Sequence, residues 1–150
     1  MKQRFDFVSN SSSSSFIVDI NNDKDKFINL IRIFKDATSI KIRAKNTFSP
    51  DLMSDIRKHK YSSKYSNNEV IYLNMKQYMK EPNNDILTQL INESDCNIEV
   101  ENGNDFDDMS SFYLFGAWLE SKGFKVVNNE DSSLSYDGIK QFDELLEESK

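Results

Sequence analysis

One histidine, His59, and one cysteine, Cys96, are all that this chain of 150 residues offers to imidazole or thiol chemistry. A catalytic triad needs a histidine placed beside a nucleophile, and a structural zinc site needs several Cys or His ligands, so the sequence supplies neither pattern. A single cysteine cannot close an intramolecular disulfide, and Cys96, beside an apparent strand, reads as a small buried thiol. With 4 glycines and no Walker-type Gly-Lys-Ser, the chain also lacks the usual Gly-rich cradle for nucleotide phosphates. No apolar run reaches 18 residues and the first residues lack the hydrophobic segment of a secretion signal, so the expectation is a cytoplasmic protein without a membrane partner.

What is present is a globular composition. Hydrophobic residues make up 37% and aromatic residues 12%, with 11 Phe and 6 Tyr available for a core. A chain of this length suits one domain. The net charge of −6 hides an asymmetry: residues 1–80 hold 15 Lys and Arg against 8 Asp and Glu, whereas residues 81–150 hold 4 against 17. The two halves either attract each other within the domain or present differently charged faces to partners.

The most unusual stretch is Phe5–Ile20, in which Phe5, Phe7 and Val8 precede the serine run Ser11, Ser12, Ser13, Ser14, Ser15, and Phe16, Ile17, Val18 and Ile20 follow it. The serines alone have too little apolar surface to offset their ordering entropy, which by composition makes residues 1–15 a flexible tract ahead of a domain spanning 16–150. Consecutive hydroxyls and backbone N–H groups also make the run a candidate anion-binding or modification site. The spelling DFVSNSSSSSFIV, Asp6 to Val18, resembles the N-terminal tract that begins many otherwise dissimilar, mostly uncharacterised proteins of bacteriophages and bacteria. That resemblance covers about a tenth of the chain. It implies a phage or mobile-element accessory protein in a bacterial host cell, with the tract acting as an address, a processing signal or a modification site.

Along the rest of the chain, periodicity alternates between 2 and about 3.6. The compact run Phe16–Ile20 reads as a buried strand, and Phe27, Leu30, Ile31 and Phe34 form one helical stripe over 24–36 with Asn22 or Asp23 as its cap. Ser39–Ala44 alternates as a half-buried strand, Pro50 opens a helix to Lys60, Glu69–Leu73 is a strand, residues 75–82 are ambiguous, and Asp85–Asn92 is helical. Cys96–Val100 is a further strand. Asp107–Lys122 is the longest helix, apolar around most of its circumference, with Gly123 as its C′ residue; Phe124–Val127 is the last strand and Gly138–Glu148 an amphipathic helix. Five strands alternating with helices predict a single α/β domain with a mainly parallel sheet, α+β being the alternative.

Two constellations carry candidate chemistry. Asp19 after the first core strand, Asp107 and Asp108 opening the long helix, and Asp131 after the last strand are placed where loops converge at one end of an α/β sheet, and together they suit Mg²⁺-dependent phosphodiester hydrolysis. Asp19-Ile20-Asn21 is similar to the first Asp-x-Asn element of PIN-type nucleases, although no middle acid of that family has a clear counterpart. The plainer role of Asp107 and Asp108 is favourable charge at a helix N-terminus. The second constellation interleaves cations and rings: Lys41, Arg43, Lys45, Arg57, Lys58, Lys60, Tyr61, Lys64 and Tyr65, suited to phosphate contacts and base stacking, or equally to a solvated face. The leading expectation is a non-enzymatic accessory protein that binds a protein partner or its own copies, without cofactor. A metal-dependent nuclease and a nucleic-acid-binding protein are the alternatives.

Overall fold

The computed structural model describes residues 15–33, 38–59, 62–63, 65–102, 109–127 and 136–148. The chain runs β1 (Ser15–Asp19), α1 (Lys24–Ile31), β2 (Thr38–Arg43), α2 (Pro50–Arg57), β3 (Val70–Asn74), α3 (Met75–Tyr78), α4 (Asn84–Glu93), β4 (Asn97–Asn102), α5 (Met109–Ser121), β5 (Lys125–Val127), α6 (Tyr136–Glu148). The first four helices start on side-chain caps that satisfy an orphan backbone N–H. Asp23 accepts from Lys26, Ser49 from Leu52 ahead of Pro50 at N1, Asn74 from Gln77 and Asn83 from Ile86.

The strands form one sheet in the order β3-β2-β4-β1-β5, and every neighbouring pair is antiparallel. This corrects the expectation of a mainly parallel α/β sheet; the fold is α+β. The alternation of strands and helices along the sequence is real, but three of the four connections skip a position that a strand of opposite direction fills, and the fourth, through α2, joins the antiparallel neighbours β2 and β3. β1 and β2 run the same way on either side of β4, β3 and β4 on either side of β2, and β4 and β5 on either side of β1. These are interleaved split βαβ units.

The register puts one residue set on each face. Phe16↔Val100, Val18↔Ile98, Ile40↔Leu73 and Ile42↔Ile71 are opposed on the inner face, and all eight are at most 1% exposed. Phe27 and Ile31 of α1, Leu52 and Ile56 of α2, Leu90 and Ile91 of α4, and Phe115 and Trp118 of α5 join them in one core, with α3 adding Met75 and Tyr78. Each fully buried aliphatic or aromatic side chain contributes roughly 1.5–3 kcal/mol. α6 packs outside α5: Phe142 lies 5.7 Å from Phe115 and 5.4 Å from Trp118 between ring centroids, and Asp143 accepts a 2.9 Å hydrogen bond from Trp118 Nε1 and pairs with Lys122 at 2.6 Å.

Two polar ties fix the helix layer. Glu93 at the end of α4 accepts from the Ser49 N–H (2.7 Å), from Ser49 Oγ (3.2 Å) and from Gln89 Nε2 (3.0 Å), joining α4 to the start of α2. At the end of α5, Gly123 has φ +102°, the Phe124 N–H bonds to the Leu119 carbonyl and the Gly123 N–H to that of Glu120, a Schellman closure. The remaining carbonyls there take Lys26 Nζ, on Lys122, and Asn22 Nδ2, on Gly123, while Phe124 meets Phe27 edge-on at 5.9 Å.

Candidate functional site on the outer sheet face

In each strand the residues between the core positions turn to the other face of the sheet. There the register aligns one row across all five strands, in the spatial order Tyr72, Lys41, Glu99, Ile17, Val127. A second row reads Asn74, Ser39, Glu101, Ser15. Tyr72, Lys41, Glu99 and Ile17 are half-buried and Val127 is 40% exposed, so the face is accessible in part and includes apolar and aromatic surface.

The charges on this face balance. Lys41, Arg43 and Lys125 stand against Asp19, Glu99 and Glu101. Lys41 holds its ammonium 5.4 Å from the centroid of the Tyr72 ring. Burial pushes the Glu101 carboxyl above the ordinary glutamate range and repulsion from Glu99 adds to this, with Lys41 opposing both. The centre of the face therefore holds two carboxylates two residues apart on β4, beside one lysine that is turned toward an aromatic ring.

The basic segment of the sequence is distributed over the domain rather than gathered. Lys41 and Arg43 lie on the outer face; Arg57 and Lys58 are exposed at the end of α2, whose Leu52, Met53 and Ile56 face the core on the opposite side of the sheet. Lys58 pairs with Asp55 at 3.8 Å. Lys45 follows β2 and its N–H bonds to the Glu93 carbonyl, and Tyr65, 71% exposed, lies in the loop that Ser63 ties to the Tyr72 carbonyl of β3. Lys60, Tyr61 and Lys64 lie outside the described residues.

Of the acidic set, Asp19 alone is described; Asp107, Asp108 and Asp131 lie outside the described residues. Asp19 ends β1, and its Oδ1 accepts from the Asn21 N–H at 3.0 Å. The sheet end that holds Asp19 also receives the C-terminal end of α5, since Lys125 pairs with Asp19 and Asn22 reaches Gly123. The start of α5, 13 residues long, is therefore ~20 Å along the axis from that end. Among the described residues no group of three or more His, Cys, Asp or Glu could hold a metal ion. Ser15 opens β1 opposite Glu101, and Ser11–Ser14 lie outside the described residues.

Sequence reasoning passed over Ile17, Tyr72, Glu99, Glu101 and Val127. A signal for them was there: SIKIR and NIEVE alternate apolar and polar residues, the pattern of an antiparallel sheet wet on one side. Comparisons with protein-family models, with curated proteins and with solved structures find no match for this chain.

Proposed function

We propose that this chain is a small non-enzymatic accessory protein of phage or mobile-element type, which acts in the bacterial cytoplasm by binding a protein through the outer face of its sheet. The observation that supports this is the row Tyr72, Lys41, Glu99, Ile17, Val127. It sets an aromatic ring and two aliphatic side chains beside one charge of each sign, and partly exposed aromatic and aliphatic surface is what protein interfaces use. A nucleic-acid surface needs an excess of cations along the backbone track, whereas Glu99 and Glu101 occupy the middle of this one. No described helix is long and apolar enough to cross a membrane.

A photoreactive amino acid placed at Ile17 or Tyr72, and at the exposed helix position Asp51 as a reference, tests this in cells. The reading expects protein cross-links from the two sheet positions and few from Asp51. Cross-links confined to Asp51 would reverse it. Fluorescence anisotropy with single-stranded and duplex oligonucleotides checks the nucleic-acid alternative; salt-dependent binding lost on Lys41→Ala and Arg43→Ala would favour that alternative. Mg²⁺- or Mn²⁺-dependent cleavage lost in Asp19→Ala would restore the nuclease.

A further inference from the structure

We infer that the outer sheet face pairs with the same face of a second copy of this chain, about a two-fold axis parallel to the strands and passing between β2 and β4. The inference rests on the reading of that face as a protein-binding surface and names its occupant. The central row is ordered Tyr72, Lys41, Glu99, Ile17, Val127, one residue per strand. Rotation about the stated axis reverses this order while keeping its height along the strands. Lys41 then meets Glu99 of the other copy, Glu99 meets its Lys41, and Tyr72 covers its Ile17. In the next row Ser39, a hydroxyl donor, meets Glu101 of the other copy.

Any other placement of the axis between neighbouring strands loses this match. Between β4 and β1 it sets Glu99 against Ile17, and between β2 and β3 it sets Lys41 against Tyr72, so that no cation of the other copy meets Glu99. The match also answers the electrostatics within one chain, where Glu99 repels Glu101 and Lys41 faces the Tyr72 ring. Packed sheets cross at about −30°, so pairs next to the axis stay in register best, and the two Lys41–Glu99 pairs are those. With the axis between β2 and β4 the strands β3, β2, β4 and β1 overlap, and four strands about 4.8 Å apart and about five residues long give a flat footprint on the order of 300 Å² per copy. A standard stable interface uses about 800 Å² per partner, so the dimer is weak and forms at high protein concentration.

Sedimentation equilibrium of the full chain, from about 10 µM to about 1 mM, measures the association directly. K41E places a carboxylate against Glu99 of the other copy, and E99K a lysine against its Lys41. Each variant alone is expected to associate at least about tenfold more weakly than the parent chain, while an equimolar mixture of the two associates as heterodimers, because both pairs are then of opposite charge. A role for either residue within one chain would not produce that rescue. Thermal melts confirm that the variants are folded; should either unfold, Lys41→Met and Glu99→Gln replace them, with weakened association of each expected. A parent chain that stays monomeric throughout, a dimer that neither variant weakens, or a mixture of folded variants that does not associate would each overturn the inference. The first of these leaves a different protein partner for the face, which the photo-cross-linking at Ile17 and Tyr72 tests separately.

Discussion

Glu93 carries more of the helix layer than its place at a helix end suggests, because three donors from α2 and α4 converge on its carboxylate. Burial pushes its pKa up, but the hydrogen bonds from the Ser49 N–H, Gln89 and the Ser49 hydroxyl outweigh this and hold it below the ordinary 4.5. A depressed folded-state pKa contributes stability that is present above the unfolded value and is lost as the pH falls through the folded one. Glu93→Ala is expected to cost about 1–2 kcal/mol in urea unfolding at pH 7, with the difference from the parent chain narrowing as the pH drops below the glutamate range. An unchanged difference at low pH would remove the ionised carboxylate from the account. Gly123 has open space where a Cβ would go, yet its φ of +102° makes Gly123→Ala destabilising by about 1–2 kcal/mol through the backbone alone. Arg32 buries an Nε that finds no hydrogen-bond partner among the described residues, so Arg32→Met should leave the melting temperature unchanged or raise it. Gly123 as the C′ residue was legible in the sequence, and the α1 cap to within one residue as Asn22 or Asp23, since both act on their own neighbours; the structure gives Asp23. The Ser49–Glu93 tie spans 44 residues and has no local pattern.

At the scale of elements, α5 carried more apolar residues than one core-facing stripe needs, and that excess pointed to a second layer or to another subunit. The structure supplies the second layer in α6, where Phe142 packs tilted against Phe115 and Trp118 and Asp143 takes the indole N–H. Trp118→Ala should therefore cost roughly 3–5 kcal/mol, and a chain ending at residue 135 should aggregate or unfold at lower urea. A truncated chain that remains equally stable would contradict this packing. Most strands and helices were legible from period 2 or 3.6, with α3 the ambiguous exception: its four residues are too few to show a period, and only its cap Asn74 marks it. Strand direction was not legible, because periodicity is blind to it. The run Phe16–Ile17–Val18 suggested a strand buried on both faces, as in a parallel sheet, whereas Ile17 is half-exposed and belongs to the outer face.

For the whole molecule, the antiparallel sheet separates two unlike faces. Its inner face is packed against the described helices, with α6 outside α5, and its outer face presents the mixed row. The candidate acids were chosen for their places beside expected strand ends and a helix start, and the basic segment for its interleaving of cations and rings along the chain. Spacing does not reveal that β2 and α2 send their cations to opposite sides of a sheet, or that Asp19 shares its end of the sheet with the close of α5 rather than its start. The two faces make opposite demands on neighbouring residues of one strand, and β1 offers the most direct test in Ile17 and Val18. Val18, fully buried, opposes Ile98, whereas Ile17 opposes Glu99. Thermal unfolding of Ile17→Asp and Val18→Asp, followed by photo-cross-linking from Tyr72 in each folded chain, puts the account at risk in one comparison. It predicts that Val18→Asp fails to fold cooperatively, while Ile17→Asp melts within a few degrees of the parent and loses its cross-links. If Ile17→Asp unfolds as Val18→Asp does, or folds and keeps every cross-link, the outer face is not the binding surface.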